Sequence, residues 1–263
     1  MLMTGTLADM NVMERHNFVI ELVMRENRAT VADLARATGA SEMTIRRDLE
    51  LLESRGALRR VRGGAVSNVP GGVEPPYAVR AMAGAEAKER LARTVLSLLT
   101  DGETVALDTG TTLVAVAKAM EDRQFTVTPL SLHAAFAVSS YPGIQLLLPG
   151  GQIRSGELSF YGHTPAETFK DLCFDTFVLG CCGVDAARGA TAYNLDDVRV
   201  KRAALDAAQR VILVATAEKL GRTALGRICS LEEIALVVTD AAPDNPVVET
   251  MQARGVQVVH PQP

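Results

Sequence analysis

Apolar and polar positions between residues 11 and 54 follow the period of an α-helix and predict three short helices. The second helix is expected to begin at Thr30, with Asp33 placed to complete its cap, and to end at Gly39. Ser41 is expected to cap the third helix. The buried face of that helix comprises Ile45, Leu49 and Leu52. The pattern therefore predicts a small helical module in which a tight glycine turn precedes the third helix.

The outer face of the third helix is polar and basic near its start. Met43 and Arg47 are expected to point away from the core, flanked by Thr44 and Arg46. The first residues of a recognition helix meet base edges in the major groove of DNA, where arginine can bridge guanine or hold a phosphate. The spacing therefore predicts a DNA-reading helix, and it leaves open whether its arginines contact bases or phosphates.

A basic hairpin is predicted directly after the third helix. Arg59, Arg60 and Arg62 lie among apolar residues there, and Gly63 and Gly64 mark a turn. We expect a β-wing whose arginines bind the DNA backbone or the minor groove. A solvated basic face, or a helical interaction module with a basic tail, is the alternative interpretation. The conjunction of turn, caps, outward arginines and wing favours DNA.

Charge is distributed unevenly along the chain. The first 66 residues contain ten arginines and nine acidic residues, whereas the remainder contains 17 basic and 22 acidic residues. The net charge of the whole chain is −4, so a basic cluster on it favours a local phosphate-binding surface over general adhesion to polyanions. The sequence thus predicts double-stranded DNA as a partner of the N-terminal module.

A Pro/Gly-rich stretch separates this module from an α/β body. We place a winged helix-turn-helix domain at residues 11–68, a linker at 69–80 and an effector-sensing and oligomerisation domain at 81–263. Short, nearly continuous apolar strands alternate with helices in the last domain, which predicts a mostly parallel sheet covered on both faces. The expected strands are 104–107, 125–128, 144–148, 177–179, 211–214, 234–238 and 256–259, and the expected helices are 87–99, 112–120, 197–208 and 247–254.

Glycine-rich turns and cations follow several of the predicted strands, where parallel sheets bind their ligands. One turn runs from Asp108 to Thr112 and opens a helix, a second contains Gly151, and a third reaches Asp185. Glycine lets backbone N–H groups approach an anion, and a helix N-terminus favours negative charge, although Asp-x-Gly-Thr is also an ordinary turn and cap. Together with Lys219, these turns predict a pocket for a small, polar, anionic ligand.

Neither a metal site nor a cofactor is predicted. The cysteines Cys173, Cys181, Cys182 and Cys229 have no Cys-x-x-Cys spacing, and the four histidines have no ligand spacing. No stretch approaches the roughly 18 apolar residues of a membrane helix, and residues 1–13 lack the basic-then-apolar order of a signal peptide. We therefore expect a cytoplasmic protein with reduced thiols and no membrane partner.

The motifs of the chain carry a family resemblance. The third helix contains Thr44-Ile45-Arg46-Arg47-Asp48-Leu49, and the hairpin contains Arg59-Arg60-Val61-Arg62-Gly63-Gly64-Ala65. These motifs closely resemble the winged helix-turn-helix of the DeoR family of bacterial transcription regulators. Arg62 stands where many members have His, which keeps the wing cationic at all pH. The later segments resemble the DeoR-type sensor domain, in the Asp-x-Gly-Thr-Thr turn, the Pro-Gly-Gly turn, Val200-Lys201-Arg202 and Lys219-x-Gly221-Arg222.

The resemblance implies a sensor fold similar to sugar-phosphate isomerases and CoA transferases, with phosphorylated sugars or related metabolites as effectors. The residues expected to bind DNA are Ser41, Met43, Thr44, Arg46, Arg47, Arg59, Arg60 and Arg62. The residues expected to bind the effector are Asp108, Gly110, Thr111, Thr112, Gly151, Arg154, Asp185, Lys201 and Lys219.

Three segments depart from the family's usual sensor sequence. Pro129-Leu130-Ser131 replaces Thr-Asn-Ser, Cys181-Cys182 replaces Ala-Asp, and Thr216-Ala217-Glu218 replaces Asp-His-Ser. Several polar pocket groups are thus missing, so either the ligand differs from the usual one or the pocket has partly lost ligand binding. For the cysteine pair, packing in the core is favoured over a thiol switch.

These observations predict a sequence-specific DNA-binding transcription regulator, a repressor of a carbohydrate-metabolism operon controlled by a phosphorylated metabolite. Because one small module rarely supplies enough affinity for a specific DNA site, we expect a dimer or tetramer. The alternative is a sugar-phosphate isomerase-like enzyme with an attached helical module. Proton transfer on a sugar requires a positioned base, and the strand ends show no well-formed acid-base pair, so no catalytic residue and no enzyme activity are predicted.

Overall fold

A computed structural model describes residues 10–26, 28–54, 57–67 and 75–262 of the chain. The chain forms two compact units that divide after Ala85, and each has its own hydrophobic core. The expectations for residues 1–9 and for linker residues 69–74 lie outside the described residues. Within the described ranges, no helix is long and apolar enough to cross a membrane.

The first unit is a helix-turn-helix with a small antiparallel sheet. Its elements are α1 (Val12–Glu26), β1 (Arg28–Thr30), α2 (Val31–Thr38), α3 (Glu42–Ser54), β2 (Leu58–Val61), β3 (Gly64–Ser67) and α4 (Tyr77–Met82). The strand order is β1-β3-β2, and β2 and β3 form a hairpin that turns at Arg62 and Gly63. The three predicted helices and the predicted hairpin are confirmed.

The predicted caps explain where α2 and α3 begin. Thr30 Oγ1 accepts the N–H of Asp33 at 3.1 Å, and Gly39 ends α2 in the left-handed conformation with a φ of 69°. Ser41 Oγ accepts the N–H of Thr44 at 3.1 Å at the start of α3. Because glycine adopts the left-handed conformation without a steric penalty, the turn that aims α3 is encoded locally.

Strand β1 was not predicted from the sequence. It pairs with β3 in a register that places Ala29 opposite Ala65. Its backbone approaches β3 so closely that a Cβ on Gly64 would lie 2.1 Å from the carbonyl oxygen of Ala29. Gly64 is therefore required by this contact, whereas Gly63 forms the hairpin turn with a φ of 82°.

Helix α4 corrects the predicted end of the linker. The linker is predicted at residues 69–80, but residues 77–80 lie in α4. Val79 is buried and belongs to the same core as Ile20 and Leu52 of the first unit. The helix is only six residues long and follows Pro76, so it offers too few turns for a helical period to be recognised.

The first helix of the second unit is α5 (Ala85–Ser97), which spans the division at Ala85 and is followed by seventeen further regular helices and strands. They are β4 (Thr104–Leu107), α6 (Thr111–Ala119), β5 (Phe125–Pro129), α7 (Leu132–Val138), β6 (Ile144–Leu146), β7 (Gln152–Arg154), β8 (Ser159–Tyr161), α8 (His163–Lys170), β9 (Phe174–Gly180), β10 (Gly183–Asp185), β11 (Gly189–Ala192), α9 (Leu195–Asp206), β12 (Ala208–Ala215), β13 (Gly226–Cys229), β14 (Leu236–Thr239), α10 (Pro246–Ala253) and β15 (Gln257–Val259).

Seven of these strands form one parallel sheet with the order β15-β14-β12-β9-β4-β5-β6. One face packs against α5, α6 and α7, through side chains such as Leu91 and Leu113. The other face packs against α8, α9 and α10, through side chains such as Phe169 and Met251. The predicted α/β class, with a mostly parallel sheet covered on both faces, is confirmed.

Several short elements beside this sheet were not predicted. They are the β7–β8 hairpin, the small sheet β10-β11-β13, and helices α7 and α8. Strands of three or four residues contain too little alternation to reveal a period of two. The pairing of β13 with β11 also joins residues that are more than 30 positions apart in the chain.

Candidate functional site

The start of α3 displays the residues that the sequence analysis assigned to DNA reading. Ser41 and Thr44 are held together at the cap, because their hydroxyl oxygens lie 2.9 Å apart. Met43 is 64% exposed, so its side chain faces solvent at the start of the helix. Ser41 therefore shapes the first turn, and Met43 lies on its outer surface.

The two arginines of α3 differ in their surroundings. Arg46 Nη2 lies 3.1 Å from Glu42 Oε2, one turn earlier on the same helix. The Arg47 side chain is exposed and has no ion pair or hydrogen bond with any residue that the structure describes. An unpaired guanidinium is available to a phosphate or a base edge, so Arg47 is the freer of the two cations.

The hairpin arginines also fall into two groups. Arg59 and Arg62 are exposed, and their side chains have no partner within the described ranges. Arg60 instead turns to α3, where its Nη1 lies 2.9 Å from Glu50 Oε1. The backbone N–H of Arg60 donates to Glu53 Oε1 at 2.8 Å. The structure thus separates Arg60 from the other two arginines, which the sequence analysis treated alike.

A buried charge network connects α1 to the inner face of α3. The Asp48 carboxylate is 2.7 Å from Arg15 Nε and 2.9 Å from His16 Nε2. Burial alone raises the pKa of the Asp48 carboxyl, but the hydrogen bonds from Arg15 and His16 outweigh it and hold that pKa below its ordinary value. Asp48 belongs to the sequence motif of α3, but this role has no local signal in the sequence because both of its partners lie on another helix.

The second group of predicted residues lies where the carboxyl ends of β4 and β9 meet. Asp108 is fully buried, and its Oδ2 accepts hydrogen bonds from Lys201 Nζ at 2.6 Å and from the N–H of Gly180 at 2.9 Å. Burial alone lowers the pKa of the Lys201 ammonium, but the Asp108 carboxylate outweighs it and raises that pKa. Asp108 and Lys201 therefore form a buried ion pair beneath the strand ends.

Helix α6 begins immediately beside this pair. Gly110 caps it with a φ of 114°, Thr111 is half-buried and Thr112 is buried. The hydroxyl oxygen of Thr109 is buried and has no hydrogen-bond partner among the described residues. The first turn of a helix leaves backbone N–H groups free, so this end of α6 can accept an anion.

Arg154 joins the same region through contacts that the sequence analysis missed. Its guanidinium pairs with the carboxylate of Asp197, which lies one helical turn before Lys201 on α9. Ser159 Oγ donates to the other Asp197 oxygen at 3.1 Å. The predicted residues Arg154 and Lys201 are thus brought to one face of α9, and Asp197 and Ser159 complete the cluster. No local signal marks Ser159, whereas Asp197 could have been found from its spacing to Lys201.

The remaining predicted residues lie in other surroundings. A Cβ on Gly151 would lie 2.5 Å from Cδ of Pro165, so this glycine allows close packing against α8. Asp185 Oδ1 accepts the N–H groups of Ala187 and Arg188 within its own hairpin turn. Lys219 is half-buried in a short turn after β12, and it has no ion pair among the residues described.

The segments that depart from the family pattern contribute to the core. Leu130 is 2% exposed, Cys181 is buried, and both belong to the cluster on the α8–α9 face of the sheet. Cys182 is partly buried and packs against that cluster. Thr216 is buried after β12, and the N–H of Ala217 donates to Asp240 Oδ1 at 2.7 Å. Leu130, Cys181 and Cys182 therefore contribute apolar packing to the core.

These features define a two-part DNA-binding regulator, with a winged helix-turn-helix unit and an α/β unit of the ligand-sensing type. Residues 15–70 match the DeoR-like helix-turn-helix domain, and residues 84–241 match the DeoR C terminal sensor domain. The chain belongs to the DeoR family of transcription regulators.

Curated relatives match nearly the whole chain. The HTH-type transcriptional regulator GlpR of Haloferax volcanii is 33% identical over 94% of this chain and 96% of its own length. The glycerol-3-phosphate regulon repressor of Escherichia coli K12 is 30% identical over 93% of this chain and 97% of its own. Among solved structures, ribose 5-phosphate isomerase A of Methanocaldococcus jannaschii is 15% identical over 52% of this chain and 55% of that chain, with a TM-score of 0.40. That distant likeness carries no functional argument.

Proposed function

We propose that the chain binds operator DNA through the first turns of α3 and the tip of the β2–β3 hairpin. The observation that carries the proposal is the set of three exposed arginines, Arg47, Arg59 and Arg62, whose guanidinium groups have no partner among the described residues. Arg46 and Arg60 face carboxylates instead. A free cation on a recognition helix or wing is available for bases and phosphates, and a paired one must first exchange its partner.

Replacing Arg47 with alanine is expected to weaken specific binding by about 1–3 kcal/mol, because the variant loses a bidentate base contact or its phosphate equivalent. The measurement is a titration of the full chain against a duplex that the unmodified chain selects from a random-sequence pool. The matched control is Arg93→Ala, which removes an exposed arginine from α5 in the second unit. Equal affinities of the Arg47→Ala and Arg93→Ala variants would contradict the assignment of α3.

Salt dependence separates phosphate contacts from base contacts. Arg59→Ala and Arg62→Ala are each expected to reduce the slope of log K against log salt concentration by about 0.9, the contribution of one neutralised phosphate. The slope is measured by repeating the titration at several potassium chloride concentrations. An unchanged slope in both variants would remove the hairpin tip from the DNA interface.

We infer that the regulated signal is a small phosphorylated sugar or polyol, bound near the first turn of α6. Free N–H groups, the left-handed Gly110 and the hydroxyl of Thr109 support a site for an anion with hydroxyl groups. Lys201 lies beneath this turn with its charge matched by Asp108. The relative that is named for the glycerol-3-phosphate regulon supports the same class of ligand.

A thermal-shift comparison of matched compounds tests the effector. Glycerol 3-phosphate and hexose phosphates are paired with glycerol and the free hexoses. A ligand at 100 times its Kd adds about 2.7 kcal/mol to stability, so a phosphorylated compound that binds raises the unfolding midpoint and its unphosphorylated partner does not. Gly110→Ala is expected to abolish the shift, because an L side chain strains the backbone at a φ of 114°. A shift that Gly110→Ala leaves intact would contradict the site.

We propose regulation rather than catalysis as the role of the second unit. Asp108, the carboxylate beside the first turn of α6, is fully buried and accepts hydrogen bonds from Lys201 and Gly180. A general base must reach the proton it abstracts, and a carboxylate in this state is occupied. An assay on aldose phosphates checks the proposal, since protein-dependent formation of the ketose phosphate would support the isomerase alternative.

We further propose that the chain acts as a homo-oligomer, dimer or tetramer, and as a repressor. Specific DNA binding by one small module is weak, and two-fold symmetry doubles the contacts. The name of the Escherichia coli relative supports repression. Sedimentation of the full chain with and without the selected duplex measures the oligomer, and a reporter gene placed behind that duplex measures the sign of regulation.

A further inference from the structure

The contacts of Arg60 point to a role in DNA recognition that differs from phosphate binding. Strand β2 is an edge of the sheet β1-β3-β2, so one row of its backbone groups faces away from β3. The N–H of Arg60 belongs to that row, and it donates to Glu53 Oε1 at 2.8 Å. The side chain of Arg60 also contacts α3, where its Nη1 lies 2.9 Å from Glu50 Oε1. One residue of the hairpin is therefore bound at two points by two turns of α3.

The alternation along β2 explains why only Arg60 makes these contacts. Successive side chains of a strand point to opposite faces, so Arg60 shares its face with the buried Leu58. Arg59 lies on the opposite face, and Arg62 lies in the turn. Arg60 thus faces α3, while Arg59 and Arg62 remain available to DNA.

We infer that Glu50, Glu53 and Arg60 form a clamp that sets the angle between the hairpin and α3, and that Arg60 is a positioning residue for the DNA interface. The inference rests on the proposed DNA-binding function. Strand β3 is held by β1, whereas β2 is paired on one side only, and each displacement of β2 changes the spacing between Arg47 on α3 and Arg59 on β2. The clamp holds that spacing before DNA arrives, so less conformational entropy is lost on binding.

The clamp and a phosphate contact predict opposite effects on DNA affinity when the charge of Glu50 is removed. If Arg60 bound a phosphate, removal of the nearby Glu50 charge would strengthen the attraction to DNA and release the guanidinium. If Arg60 positions the hairpin, the same change loosens the interface and weakens binding. A double-mutant cycle separates the two, because it isolates the term that depends on both residues.

The experiment measures binding of the full chain to the duplex that the unmodified chain selects from a random-sequence pool. The variants are Glu50→Gln, Arg60→Met and both together, with thermal unfolding recorded for each as a check on folding. Glu50→Gln is expected to weaken binding about two- to fivefold, the range of an exposed ion pair, and to have no weakening effect once Arg60 is methionine. Arg60→Met is expected to weaken binding while the salt slope stays at the unmodified value.

The charge-exchanged variant Glu50→Lys with Arg60→Glu provides the rescue test. It restores the pair with reversed polarity, so it is expected to bind DNA more tightly than Arg60→Glu alone. The change in affinity that Glu50→Lys causes is expected to be more favourable in the Arg60→Glu background than in the chain with Arg60 intact. Tighter binding by Glu50→Gln in both backgrounds, or loss of one phosphate contact from the salt slope of Arg60→Met, would overturn the clamp and leave the DNA interface standing. A chain that selects no duplex would overturn both.

Discussion

Replacing Lys201 with methionine is expected to destabilise the second unit by about 3–5 kcal/mol, the largest effect of any single substitution considered for this chain. Lys201 is 4% exposed and Asp108 is fully buried, so loss of the ammonium leaves a carboxylate without a counter-charge in the core. The backbone N–H groups of Gly180 and Thr109 still donate to this carboxylate, but neither supplies a counter-charge. The second unit therefore depends on the pair even though the pair lies at its candidate ligand site.

Tyrosine fluorescence during urea unfolding measures the loss of stability in the second unit. The chain has no tryptophan, and three of its four tyrosines, Tyr141, Tyr161 and Tyr193, lie in the second unit. The matched control is Lys118→Met, which removes an exposed lysine from α6 and is expected to leave the midpoint unchanged. The double variant Asp108→Leu with Lys201→Met is expected to recover much of the loss, because it buries no charge. A Lys201→Met midpoint equal to that of Lys118→Met would contradict the argument.

Replacing Asp48 with asparagine is expected to destabilise the first unit by about 3 kcal/mol and to weaken DNA binding with it. The substitution leaves Arg15 and His16 facing a neutral side chain in a nearly closed site, where side-chain exposures are 13% and 5%. Because these contacts join α1 to α3, their loss releases the helix that carries Arg47. Hydrogen exchange of amides in α1 and α3 localises the effect. Asp33→Asn serves as the control, because it removes an exposed carboxylate whose contacts, Thr30 and Arg36, are local to α2.

Acid titration gives a signed test of the same network. The pKa of the Asp48 carboxyl is held below its ordinary value in the folded chain, so its stabilising effect is complete above the ordinary carboxyl pKa. That effect is lost as the pH falls through the lowered folded pKa. The difference in amide protection between the unmodified chain and Asp48→Asn is therefore expected to shrink as the pH falls below the ordinary value. A difference that grows in acid would contradict the assignment of Asp48 as the stabilising carboxylate.

The sequence by itself determined the elements whose signals are local. Thr30, Gly39 and Ser41 mark helix ends through contacts within three or four residues, and the structure has each where it was predicted. The parallel sheet followed in the same way from apolar strands that alternate with helices. These features depend on backbone geometry and on periodicity, which a short window of sequence contains in full.

Only the tertiary structure decided which charged groups are free and which are bound. Asp108 was predicted as a ligand-binding residue, and its partner Lys201 lies 93 positions away in the chain. Asp48 meets Arg15 at a separation of 33 positions, and Arg60 meets Glu50 at ten. No local period encodes such pairs. They form when elements that are distant in sequence pack together, and polar side chains that lose their water at the contact form hydrogen bonds with each other. The identity of the arginines was thus a property of the sequence, and their division into unpaired and carboxylate-bound groups was a property of the fold.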